Sequence, residues 1–140
     1  MKKILVFTFA FMMAASFAFA DMMVAPNALP AKITQFVTAN FNGAQIMYAE
    51  QDFDSFEVKL NTGVELDFYA NGDWKEIKTY QNFPTQVLPE AVVQAVKSAH
   101  PQAFIIKAEK TWNGYEIKTS NMMEIYVTPN GQIMGQKFDD

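Results

Sequence analysis

From Phe56 onward the chain alternates apolar and polar residues. Phe56, Val58 and Leu60 point one way, and Glu57 and Lys59 the other. The alternation breaks at Asn61-Thr62-Gly63. It resumes with Val64, Leu66, Phe68 and Ala70 on one side and Glu65, Asp67 and Tyr69 on the other. A period of two marks a strand with one buried face. A three-residue turn with Gly63 in the left-handed position keeps Leu60 and Val64 on one face, and Asn71-Gly72 is the pair favoured for a two-residue type I′ hairpin. Upstream the period changes. Ile33, Phe36, Val37 and Phe41 share one face of a predicted helix. Pro30 sits in its first turn, where a missing N–H costs nothing, and Asn42-Gly43 suits its end. A strand over 44–51 follows.

The same pattern returns further along the chain, in a constant register and without a gap. Leu29-Pro30 falls on Leu88-Pro89, Val37 on Val96, Ile46 on Ile105, Ala49-Glu50 on Ala108-Glu109, and Glu57 and Lys59 on Glu116 and Lys118. Glu65 falls on Glu124, Asn71-Gly72 on Asn130-Gly131, and Lys78 on Lys137. Val92, Val93 and Val96 form the apolar stripe of a second helix, closed by His100-Pro101. A strand over 103–110 matches 44–51. The chain therefore reads as two tandem helix-plus-four-strand repeats, 29–80 and 88–138, joined by 81–87 and preceded by a loose lead-in at 21–28. Two helices covering one face of an antiparallel sheet is an α+β fold.

Residues 1–20 stand apart. Lys2 and Lys3 precede an apolar run from Ile4 to Phe17, and Ala18-Phe19-Ala20 has the form of a signal peptidase site. This is the pattern of a cleaved secretory signal peptide, with the mature chain starting at Asp21. The run is shorter than the roughly 20 residues of a membrane anchor, and no Cys follows it to be lipidated. The expected destination is the periplasm. Without Lys2 and Lys3, nine lysines face 15 acidic residues, a net charge of −6 with no arginine. Such a chain is a poor partner for nucleic acid or anionic lipid. With no cysteine it folds without disulfides, and a monomer is the default expectation.

The catalytic inventory is thin. His100, the lone histidine, sits at a helix end, where an imidazole is favoured. Ser55, Ser98 and Ser120 lack a nucleophile-elbow frame. Glu50, Asp52 and Asp54 lack the glycine and distal Glu of a calcium loop and read as a solvated acidic turn. Asp67 and Glu76 read as hydrated cross-strand neighbours. No catalytic residue, metal ligand or cofactor site is assigned.

If the helices cover one face, the other carries the outward residues. A two-residue turn at Asn71-Gly72 sets Tyr69 opposite Trp74, Asp67 opposite Glu76 and Glu65 opposite Lys78. In the second repeat Thr128 then faces Ile133, and Glu124 faces Lys137. The partner-binding candidates are Tyr69, Trp74, Tyr80, Tyr126 and Ile133 on this face, because Trp and Tyr dominate interface hot spots. Trp112 is a further candidate. Phe53 and Trp112 hold equivalent positions as loop-tip anchors or as core residues, with the core favoured for Phe53.

The signal peptide, the tandem units and the Phe-x-x-Asn-Gly-x-Trp/Ile hairpins resemble the PepSY-like, β-lactamase-inhibitor-like periplasmic proteins. The resemblance implies an inhibitor-like fold whose open sheet face docks on another protein, and it carries no catalytic residues. The known β-lactamase inhibitors have disulfides, which this chain lacks. The expected function is a non-enzymatic exported protein that binds another protein, with inhibition as one form of that binding. Its alternatives are a small-ligand or peptide carrier, favoured by an apolar cavity between sheet and helices, and an envelope assembly factor.

Overall fold

A computed structural model describes residues 22–139. The segment assigned to a signal peptide lies outside the described residues. Among the described residues nine strands form one antiparallel sheet in sequence order: β1 Met22–Val24, β2 Ile46–Gln51, β3 Ser55–Leu60, β4 Glu65–Tyr69, β5 Trp74–Lys78, β6 Ile105–Thr111, β7 Gly114–Thr119, β8 Met123–Val127 and β9 Ile133–Phe138. Two helices, α1 Ala31–Asn40 and α2 Glu90–Ala99, each follow a short 3-10 turn. Pro30 and Pro89 stand just before the helices, as their N-caps, rather than within the first turn.

Both helices pack on one face of the sheet. Ile33 and Val37 of α1 and Val92 and Val96 of α2 are buried in one cluster with Ala49, Val58, Leu60, Leu66, Phe68, Ile77, Ala108, Ile117, Ile125 and Val127. Each fully buried aliphatic side chain in such a core contributes about 1.5–3 kcal/mol of transfer free energy. Phe36 meets Phe68 edge-on, with ring centroids 5.5 Å apart, the arrangement that ring quadrupoles favour. The inward row read from Phe56 to Phe68 matches this face, whereas Ala70, read as its last member, is exposed in the turn that follows.

Four further expectations are corrected. First, the lead-in is not loose throughout: Met22, Met23 and Val24 pair with Gln51, Glu50 and Ala49 at the edge of the sheet. Second, the Asn-Gly hairpins are not two-residue turns. A type I′ turn needs positive φ at both central residues, but only Gly72 has it, at 91°. The Asn71 Oδ1 instead accepts the Asp73 N–H at 3.0 Å, and the Tyr69 N–H bonds the Asp73 carbonyl at 2.8 Å. The loop is therefore Ala70-Asn71-Gly72, the three-residue form already read at Asn61–Gly63.

Third, that extra residue sets Trp74 opposite Phe68 instead of Tyr69, and a bulge at Lys75 restores the expected Asp67–Glu76 and Glu65–Lys78 pairs. Trp74 thus turns to the helix side, buried against the Tyr115 ring at 6.3 Å and under the Lys110 ammonium at 4.4 Å. The second hairpin does the same: Ile133 faces Val127, not Thr128, and packs against the core. Fourth, Phe53 is not in the core. Asp52 closes a tight turn by donating its N–H to the Ser55 carbonyl and by accepting the Phe53 N–H on its carboxylate. Phe53 is left at the tip, 97% exposed.

Candidate interaction face

The face away from the helices is organised by register. Met23, Glu50, Glu57, Asp67, Glu76, Glu109, Glu116, Tyr126 and Gly135 are successive cross-strand partners from β1 to β9. Six of these in a row are carboxylates. Two residues along each strand a second row crosses the sheet: Tyr48, Lys59, Glu65, Lys78, Lys107, Lys118, Glu124 and Lys137. An acidic stripe and a lysine-rich stripe therefore lie side by side, about 7 Å apart at the rise of a strand.

Like charges directly opposite each other are unfavourable, and the acidic stripe shows it. Burial, the facing Glu76 carboxylate and Glu57 push the Asp67 carboxyl up to about 6. The lysine stripe offsets part of this. Lys107 Nζ reaches across to Glu76 at 3.1 Å, while Lys59 and Lys78 pair within their own row with Glu65, at 3.5 and 4.0 Å. Burial opposes the charge on Lys107, but the Glu76 hydrogen bond and carboxylate outweigh it and hold its pKa above the usual lysine value. Lys137 reaches Glu124 at 3.8 Å, and the Tyr126 hydroxyl donates to Glu124 at 3.2 Å. Among the described residues, no three His, Cys, Asp or Glu side chains are grouped so as to hold a metal ion.

The candidate residues divide. Tyr69 and Tyr126 lie on the open face. Trp74 and Ile133 do not, for the reason given above. Tyr80 is exposed, but it belongs to a different place, a cleft of about 350 Å³ at the C-terminal end of α1 that it shares with Asn40, Phe41, Asn42 and Asn82. Trp112 is 95% exposed at the β6–β7 turn. With Tyr126, Met134 and Gly135 it borders a depression of about 390 Å³ at the end of the open face. Phe53 caps the equivalent β2–β3 turn, four strands away. At the usual strand spacing the two aromatic tips stand about 19 Å apart on one rim. The charged rows were missed at the sequence level. Their signal was there in the recurrence of Glu50 and Glu57 as Glu109 and Glu116, but it emerges only when the strands are stacked in register.

No described helix is long and apolar enough to cross a membrane. No curated protein matches the chain. Three solved structures share the fold. A "putative calcium-regulated periplasmic protein" from Bacteroides thetaiotaomicron is 24% identical, with a TM-score of 0.78, covering 84% of this chain and 96% of the other. A "putative periplasmic protein" of the DUF2874 family from Bacteroides vulgatus is 27% identical, TM-score 0.77, over the same shares. A "putative periplasmic protein of unknown function" from Bacteroides vulgatus is 25% identical, TM-score 0.78, over 84% of this chain and 99% of the other. The family model described as "Putative beta-lactamase-inhibitor-like, PepSY-like" matches twice, over residues 11–70 and 54–135. These two matches together span most of the sequence, and the chain belongs to that PepSY-like family.

Proposed function

We propose that this chain is a non-enzymatic periplasmic protein that binds another protein across its striped sheet face, held by the aromatic tips at the rim. The observation that carries the reading is the pair Phe53 and Trp112, 97% and 95% exposed at equivalent turns of the two repeats. Large aromatics left in water at matched positions have no packing role in the monomer, and aromatics of this size are the usual anchors of protein interfaces. Trp112 also borders one depression with Tyr126 of the open face. A fitting partner presents two apolar pockets and a cationic strip for the carboxylate row. We read the chain as a tandem repeat, because the β4–β5 register, bulge included, recurs in β8–β9. The periplasmic location rests on the structural neighbours and on the signal-like segment before Asp21.

The cleft beside α1 does not favour the small-ligand alternative. It opens at the helix end, and its lining mixes the amides of Asn40, Asn42, Gln81 and Asn82 with Phe41, Ala44, Val64 and Tyr80, so it is not an apolar cavity between the layers. The test is site-specific photocrosslinking in intact cells from positions 53, 112 and 97. The expected result is one common adduct from 53 and 112, absent from Lys97 on α2, and weakened at each tip when the other tip is changed to Ala. Adducts that differ between 53 and 112, or that are indifferent to loss of the other tip, would sink the reading.

A further inference from the structure

The two edges of the sheet are unlike, and the interior of the molecule shows why that matters. At its centre β5 pairs with β6: Glu76 faces Glu109, Ile77 faces Ala108, and Lys78 faces Lys107. In the repeat β6 is the counterpart of β2, with Ile105 matching Ile46, and β9 is the counterpart of β5, with Lys137 matching Lys78. The correspondence extends to irregularities. The register shift in β2–β3 lies between Ile46 and Tyr48, and that in β6–β7 between Ile105 and Lys107. Lys75 bulges from β5 where Met134 bulges from β9. The outer edge of β2 therefore repeats the edge on which β5 docks, and β9 repeats the strand that docks.

In this molecule β1 occupies that edge. Met23 faces Glu50 as Glu76 faces Glu109, and Val24 faces Ala49 as Ile77 faces Ala108. Val24 even packs against the core as Ile77 does. We infer that β1 is a capping strand that covers a strand-acceptor edge on β2, and that the occupant it keeps out is β9 of a second copy, docked head to tail. The docked register sets Lys137 against Tyr48, Gln136 against Ala49 and Gly135 against Glu50. Each such union leaves another β2 and another β9 free, so it grows open chains rather than closed dimers. An uncovered sheet edge is the usual template for such growth. The cap is short. It spans three residues of the six in β2, and Met22, Met23 and Met47 are about two-thirds exposed. The polar Gln136, standing where Ile77 is buried in β5, weakens the donor strand and acts in the same sense as the cap.

The absence of cysteine permits a direct test. Tyr48→Cys is made in one chain and Lys137→Cys in another, and the two are mixed under mild oxidation. Facing antiparallel residues lie within disulfide reach, whereas positions 48 and 137 of one molecule lie seven strands apart, about 34 Å at the usual spacing. The expected result is slow formation of a 48–137 disulfide between otherwise unchanged chains. Adding Met23→Pro/Val24→Ser to the Tyr48→Cys chain, which releases β1 from the acceptor, should speed it about tenfold, the effect of about 1.4 kcal/mol. The same two substitutions in the Lys137→Cys chain should leave the rate unchanged. Because both arms carry the same destabilised chain, general unfolding would accelerate them equally. Equal rates in the two arms, or a product dominated by 48–48 and 137–137 pairs, would overturn the inference.

Discussion

Gly63 and Met122 stand at the same place in equivalent three-residue turns, both with left-handed backbone, φ 91° and 66°. Glycine adopts that conformation freely, whereas a residue with a Cβ is held there at a cost of about 1–2 kcal/mol. Met122→Gly should therefore raise stability by about 1 kcal/mol, seen as a higher urea midpoint with an unchanged slope. Asp67 is the other residue under local stress. Its carboxyl titrates near 6 in the fold and near 3.8 in the unfolded chain. The folded state thus holds the proton more tightly, so this group stabilises the protein fully below its unfolded pKa. That contribution is lost as pH rises through about 4 to 6. Asp67→Asn should remove this dependence and gain about 1 kcal/mol at pH 7, a value reduced for the half-exposed site. Melting curves at pH 4.5 and 7 would decide it. A variant with the same pH slope as the parent would show that Asp67 is not the group responsible.

At the scale of the element, the two tryptophans show how a hairpin assigns a side chain to core or solvent. Trp74→Ala removes a buried ring stacked on Tyr115 and should cost about 3–5 kcal/mol. Trp112→Ala removes a ring surrounded by water and should change stability by less than about 0.5 kcal/mol. Denaturant titration of the two variants gives the comparison, and acrylamide quenching should reach Trp112 far more readily than Trp74. The sequence made the strands, both helices and the inward rows legible, because a period of two or of 3.6 is written in adjacent residues. It also made Glu65–Lys78 and Glu124–Lys137 legible, since those pairs lie beyond the bulge and are insensitive to the turn. It did not reveal the burial of Trp74. That depends on whether Asn71 takes positive φ or uses its amide to bind Asp73, two local states that the same Asn-Gly pair permits. Nor did it reveal β1, whose three residues are too few to show a period. The carboxylate row needed the registers of six strands at once, which no local pattern supplies.

At the scale of the molecule, the question is whether the two halves unfold separately. Their shared ladder is short, three facing pairs between β5 and β6, and each half has its own helix. The packing argues for one unit all the same. The buried apolar residues of both halves form a single cluster, and Trp74 of β5 reaches past β6 to stack on Tyr115 of β7, with Lys110 of β6 over its ring. Asp73 draws Lys32 of α1 into the same corner. Unfolding either half would uncover Ile77 or Ala108 and strip Trp74 of its stacking partner, so neither half alone retains its buried face. A domain of this size with a continuous core should unfold in one step. In the Trp112→Phe background, Trp74 fluorescence reports the junction and far-UV circular dichroism reports the whole sheet. The two urea curves should superimpose, with one midpoint and one slope. A fluorescence transition that precedes the loss of ellipticity would show instead that the junction opens first and that the halves are separate cooperative units.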